Sequence, residues 1–138
     1  MGCNAAGVCS DPLTIFTYSQ SSAIAALAEQ QLAHDNIPSD ALRFVMTGAD
    51  PLGVPYNLYP TEVYDIYGDF WAEPGSLGTT SQDILFGMVL HYAYLWLAPT
   101  EIDSAIPIVA GMTTVYEIPT LTITELWAAL FGALFAGG

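Results

Sequence analysis

The sequence has almost no positive charge. Arg43 is its single basic residue apart from two histidines, against 14 acidic residues, and the formal net charge is −13. Binding to nucleic acid requires lysines and arginines that neutralise phosphates, so the composition excludes a nucleic-acid partner. Electrostatic binding to anionic lipid headgroups is excluded for the same reason.

Charged residues of either sign and cysteines are also scarce. Charged residues make up 11% of the 138 residues and hydrophobic residues 53%, which excludes a disordered chain and leaves room for one domain with a core. Cys3 and Cys9 have the spacing C-x5-C, which fits no zinc motif, although the pair can form a disulfide in an oxidising compartment. We expect no metal and no cofactor.

Long hydrophobic runs are missing as well. A transmembrane helix needs about 18–20 apolar residues, and the longest apolar segments, 84–98 and 126–136, are shorter. We interpret both as buried or interfacial helices, the second being a candidate membrane-surface anchor. The N-terminus has neither the charged region nor the apolar region of a signal peptide.

Hydrophobic patterning predicts alternating strands and helices. We expect strands over 13–18, 42–47, 62–67 and 113–118, and helices over 22–34, 81–97 and 124–136. This order predicts an α/β fold with a mostly parallel sheet flanked by helices. In the first helix, the predicted buried face consists of Ile24, Leu27, Ala28 and Leu32.

Residues 1–12 are small and rich in Gly, Ala and Ser, and we expect them to form a loose leader. Residues 13–138 are expected to form one domain. Four strands make a thin sheet for an α/β fold, so the prediction is a domain that is incomplete at its N-terminus.

The most informative segment is a strand–serine–helix turn at residues 17–21, Thr-Tyr-Ser-Gln-Ser. This is the layout of a nucleophile elbow, G-x-S-x-G, in which the hydroxyl of Ser19 would stand clear of the sheet. The backbone N–H of Gln20 would then donate to an oxyanion. Thr17 and Ser21 replace the two glycines, and the competing interpretation makes Ser19 an ordinary helix N-cap.

A nucleophilic serine needs a base and an orienting acid. His91 lies in an apolar segment and is the candidate base, the alternative being a satisfied core histidine, whereas His34 is expected to be solvated. Asp69 follows the third strand, at the edge where α/β folds carry their sites. Asp65 is the competing acid, but it lies within the strand and is expected to face solvent. The order Ser19, Asp69, His91 is that of the α/β-hydrolases.

Five segments together carry a resemblance to a known family. They are FTYSQS (16–21), FVMTGADP (44–51), YDIYGDF (64–70), VLHYAYL (89–95) and TTVYEIPT (113–120). In this order they resemble the PE-PPE C-terminal domain of mycobacteria and relatives, a serine-hydrolase domain akin to cutinases. The chain departs from the family at Thr17, Ile66 and Trp71, and it lacks the family's first strands with the loop that supplies the other oxyanion donor.

The resemblance implies a cutinase-like α/β-hydrolase fold with the catalytic triad Ser19, Asp69 and His91, and with the Gln20 N–H in the oxyanion hole. It implies a serine esterase of acyl esters that is secreted or bound to the cell envelope, with a lipid-like substrate and peripheral membrane association. The missing oxyanion donor would impair such an enzyme.

Two other functions stay open. One is acyl transfer to a sugar hydroxyl of an envelope glycolipid, which uses the same acyl-enzyme. The other is a catalytically inactive, envelope-associated interaction domain, which aromatic residues expected to be exposed (Tyr56, Tyr59 and Trp71) would suit. The distances among Ser19, His91 and Asp69 distinguish the two cases, because an enzyme needs these side chains within hydrogen-bonding reach of one another.

Overall fold

A computed structural model describes residues 4–6 and 11–136. Most of the expected leader, with Cys3 and Cys9, lies outside the described residues. The elements in chain order are β1 (Leu13–Tyr18), α1 (Gln20–His34), β2 (Leu42–Thr47), β3 (Thr61–Ile66), α2 (Ser81–Leu90), α3 (Pro99–Asp103), β4 (Ile106–Ala110), β5 (Thr113–Ile118) and α4 (Ile123–Ala136). Short 3-10 turns lie at Pro51–Gly53 and Ala93–Trp96.

The strands form one sheet in the order β1-β2-β3-β5-β4. β1, β2, β3 and β5 run parallel, and β4 pairs antiparallel with β5. The prediction of a mixed α/β fold with a mostly parallel sheet and flanking helices is confirmed. β4 was not predicted; it is a short edge strand whose Pro107 is tolerated there because an edge strand can lack one ladder hydrogen bond.

The buried face of α1 differs from the prediction. Ser22, Ala25, Ala26 and Glu29 are buried, whereas Ile24 and Leu27 are 61% and 67% exposed. Both faces follow a helical period, but the observed face is rotated around the helix axis. Small side chains allow α1 to approach the sheet closely, so Ile24 and Leu27 lie outside, whereas Leu32 is half-buried against the core.

The helix predicted over 81–97 is also shorter than expected. α2 begins after Thr80, whose hydroxyl accepts from the Asp83 N–H in a capping box. It ends at Leu90, and a 3-10 turn follows. Neither glycine nor proline marks this end; the chain turns where His91 and Tyr94 reach the edge of the sheet.

Two apolar clusters pack against the sheet, one on each face. Phe44, Met46 and Val63 belong to the cluster on the α1 side. On the other face, Ile66, Leu90 and Ile118 pack with residues of α4, including Leu126. α4, predicted as a buried or interfacial helix, therefore contributes to the core. No helix in the described part of the chain is long and apolar enough to span a membrane.

Of the aromatic residues expected to be exposed, Tyr59 contradicts the prediction. It is fully buried among the residues of the α1-side cluster, and its hydroxyl donates to the carbonyl oxygen of Ile37 at 2.9 Å. Trp71 is exposed, and Tyr56 is half-buried. Tyr59 is buried because its ring packs against Phe44.

Candidate active site

Ser19 lies in the sharp turn between β1 and α1. Its φ of 55° is in the left-handed region, which non-glycine residues adopt rarely and at a cost in free energy. The hydroxyl makes no capping hydrogen bond to α1. Instead, Oγ lies 2.7 Å from Nε2 of His91. The interpretation of Ser19 as an ordinary N-cap is therefore wrong.

The two residues that replace the expected glycines hold this turn together. Thr17 Oγ1 and Ser22 Oγ are hydrogen bonded at 2.9 Å. The Ser21 hydroxyl donates to the carbonyl oxygen of Tyr18 at 2.7 Å and accepts from the Tyr18 N–H at 2.9 Å. Short hydroxyl side chains thus stabilise the backbone of the turn around Ser19.

His91 and Asp69 complete the line of side chains. Asp69 follows β3 and is fully buried, and His91 directly follows α2 and is 4% exposed. Nδ1 of His91 lies 2.8 Å and 3.0 Å from the two carboxylate oxygens of Asp69. Such a carboxylate holds the proton on Nδ1 and leaves Nε2 free to accept the Ser19 proton.

Asp69 is itself fixed by the loop in which it lies. Its Oδ1 accepts from the backbone N–H of Trp71 at 3.0 Å. The Asp69 N–H donates to the carbonyl oxygen of Ile66 at the end of β3. The carboxylate is therefore oriented by its own backbone turn as well as by the imidazole.

Aromatic rings and one glycine enclose the imidazole, and these residues were not predicted as part of the site. The Tyr18 ring stacks on His91 with centroids 5.3 Å apart, and Trp71 approaches at 4.7 Å. The Tyr18 hydroxyl donates to the carbonyl oxygen of His91 at 2.6 Å. Gly48 has a φ of +60°, and a Cβ there would lie 3.1 Å from Cε1 of His91.

Tyr94 lies behind the acid. Its hydroxyl donates to Oδ2 of Asp69 at 2.8 Å, accepts from the Ile66 N–H at 2.8 Å and lies 3.2 Å from Oδ1 of Asp65. Sequence reasoning missed Tyr94, although it is three residues after His91 within one of the five matched segments. The environment raises the pKa of the Tyr94 hydroxyl, chiefly through burial.

Asp65 was expected to face solvent, and this prediction is wrong. The side chain is fully buried, because it lies on β3, the middle strand of the sheet. Burial is the main cause that raises the pKa of this carboxyl to about 8, and the negative charges of Glu73 and Asp69 add to it. His34, in contrast, is exposed, and its imidazole pairs with the neighbouring Asp35, so its predicted solvation is confirmed.

A cavity of about 730 Å³ opens in front of Ser19. Its apolar walls are formed by Ala23, Ala26, Leu27, Ala49, Val54 and Trp71. Gln20 also lines it, and as the first residue of α1 its N–H has no carbonyl partner within the helix. Among the residues that the structure describes, no group of His, Cys, Asp and Glu side chains is arranged to hold a metal ion.

Comparison with known proteins shows a similarity to a PPE family protein. The chain is 31% identical to an uncharacterized PPE family protein, PPE28, of Mycobacterium tuberculosis (strain ATCC 25618 / H37Rv), over a region that covers 78% of this chain and 22% of the relative. The chain thus spans about a fifth of the length of that protein. No family model and no solved structure matches the chain. The similarity supports a relationship to the PE/PPE-related proteins.

Proposed function

We propose that the chain carries an α/β-hydrolase-like domain of the cutinase type and acts as a serine esterase. The observation that carries the proposal is the line of hydrogen bonds from Ser19 through His91 to Asp69. The strained turn at Ser19 supports it, because backbone strain of this kind clusters at functional sites.

In the proposed reaction, Ser19 Oγ attacks the carbonyl carbon of an acyl ester while its proton passes to Nε2 of His91. Asp69 stabilises the imidazolium that forms. The imidazolium then protonates the departing alcohol, which leaves an acyl-enzyme on Ser19. Water attacks this ester in the second half, giving its proton to His91, and the acid is released as Ser19 recovers its proton.

The oxyanion of the tetrahedral intermediate is assigned to the Gln20 N–H, at the positive end of the α1 dipole. In such enzymes the loss of one oxyanion donor slows the reaction by about 10²–10³ in rate, so we propose that this N–H contributes strongly to turnover.

The substrate class follows from the cavity and the charge. The walls beside Ser19 are mostly apolar, which suits an acyl chain. The single basic residue, Arg43, forms an ion pair with Glu62, and neither lines this cavity. An uncharged, lipid-like ester is the substrate that fits. The similarity to a PPE family protein supports a place at the mycobacterial envelope, either secreted or peripherally attached to it.

Labelling with a fluorophosphonate probe tests the nucleophile. We expect labelling of the wild type and of Ser39→Ala, a control at an exposed serine between α1 and β2, and none of Ser19→Ala. Labelling that persists in Ser19→Ala would remove this residue as nucleophile. A wild type that stays unlabelled would instead support the inactive interaction domain.

Hydrolysis and acyl transfer share the acyl-enzyme, so the probe does not separate them. Incubation of the unlabelled wild type with an uncharged ester and a sugar acceptor distinguishes hydrolysis from acyl transfer. We expect free acid as the main product, and an acylated sugar in excess over free acid would favour the transferase.

A further inference from the structure

We propose that Tyr94 is a positioning residue that holds Asp69 against His91, and that Asp65 must carry a proton for Tyr94 to do so. The catalytic consequence rests on the proposed esterase, whereas the proton on Asp65 does not. The juxtaposition behind the inference is one tyrosine hydroxyl between two fully buried carboxyl groups.

Counting protons gives the first argument. The Tyr94 hydroxyl has one proton to donate, and one of its lone pairs already accepts from the Ile66 N–H. Asp69 Oδ2 is nearer to this hydroxyl, at 2.8 Å, than Asp65 Oδ1, at 3.2 Å. Were both acids ionised, two buried carboxylates would compete for one proton. A neutral Asp65 leaves that proton to Asp69.

The charges around Asp65 give the second argument. Asp69 and Tyr94 face it from one side, Glu73 from the loop after β3, and Glu117 is its register partner on β5. These neighbours are acidic, and the chain's one basic residue, Arg43, is paired elsewhere. Like charges at short distance in a buried site favour the protonated form of one member.

A consequence for catalysis follows. When Asp65 loses its proton at alkaline pH, it competes with Asp69 for the Tyr94 hydroxyl. Asp69 then holds His91 less firmly, and turnover falls on the alkaline side although the triad residues are unchanged. The structure thus points to a pH dependence of kcat that arises at Asp65, which reaches Asp69 only through Tyr94.

Two variants test the catalytic part. D65N keeps the shape of the protonated acid and does not ionise, so we expect it to retain kcat at alkaline pH where the wild type loses it. Y94F removes only the hydroxyl, and we expect kcat to fall about tenfold with KM unchanged, the effect of one hydrogen bond to a charged group. An alkaline loss that persists in D65N, or a Y94F variant with wild-type kcat, would overturn the positioning role.

Carbon-13 NMR of the aspartate carboxyl groups tests the proton itself, without substrate. The signal that disappears in D65N is that of Asp65, and we expect it to report a protonated acid at pH 6, where an ordinary aspartate is ionised. An ionised Asp65 at pH 6 overturns the inference even if Ser19 is reactive. A protonated Asp65 in a protein that no fluorophosphonate labels overturns the proposed esterase alone.

Discussion

Oγ of Ser19 and Nε2 of His91 are 2.7 Å apart, although 72 residues separate them in the chain. They meet because Ser19 follows the C-terminal end of β1, while His91 directly follows α2, which returns to the same edge of the sheet. β3 is parallel to β2 and so brings Asp69 to that edge too. The parallel topology assembles the three side chains.

Asp69→Asn tests the orientation of the imidazole. An amide that donates to Nδ1 favours the wrong tautomer, and we expect kcat for ester hydrolysis to fall by about 10⁴ with the fold retained. Asp103→Asn, at an exposed position at the end of α3, is the matched control and should keep wild-type kcat. A loss of less than tenfold in Asp69→Asn would contradict the role of this carboxylate.

Gly48→Ala tests the space beside His91. The methyl group would lie 3.1 Å from Cε1 of the imidazole. An alanine with a left-handed backbone would also lower the free energy of unfolding by about 1–2 kcal/mol. We expect lower thermal stability together with at least a tenfold loss of kcat. Circular dichroism melting and steady-state kinetics measure the two effects.

Gly75→Ala separates strain from crowding in that experiment. Gly75 also has a positive φ, of 81°, but a Cβ there meets no atom within 4 Å. This variant should lose stability and keep kcat. Equal kinetic losses in the two variants would mean that crowding of His91 is not the cause.

Glu29→Gln should change how stability depends on pH. Glu29 is fully buried against the sheet, and among the described residues its Oε2 has no partner. Burial raises its pKa from 4.5 to about 7. The folded state therefore binds the proton more tightly than the unfolded chain, so stability is full below about pH 4.5 and falls as the pH rises to about 7.

Urea unfolding at several pH values measures this effect. We expect Glu29→Gln to be more stable than the wild type above pH 7 by on the order of 2 kcal/mol. The advantage should vanish near pH 4. The same gain in Asp103→Asn, which removes an exposed carboxylate, would show that net charge rather than burial is responsible.

The charge of the substrate should have a measurable effect on kcat/KM. With a net charge of −13 and no free basic residue beside the cavity, the protein repels anions. We expect kcat/KM for an uncharged ester to exceed that for an ester of equal length with a terminal carboxylate by roughly tenfold at low ionic strength. The ratio should shrink in salt. If the ratio of the two kcat/KM values does not change with salt concentration, the preference arises from the shape of the substrate and not from its charge.

Local patterns sufficed for three strands. The bounds predicted for 13–18, 42–47 and 113–118 are those observed, because β-branched and aromatic runs there are cut off by serine, glycine or proline. Such signals are local. β4 was not predicted, because its apolar run is short and its only strand partner is β5, with which it forms a hairpin.

Helix faces and helix ends were harder to predict. The period of α1 was visible in the sequence, but the rotation that buries Ala25 and Ala26 depends on how closely the sheet lets the helix approach. The end of α2 at Leu90 likewise depends on the contacts of the residues that follow it. These outcomes are set by packing, which overrides local propensity.

The order and chemistry of Ser19, Asp69 and His91 could be predicted from the sequence alone, because a strand–serine–helix turn and an acid after a strand are local patterns. Tyr94, Gly48 and the protonatable Asp65 became part of the site only through tertiary structure. Their roles come from burial and from distances across the sheet, and a one-dimensional pattern contains neither.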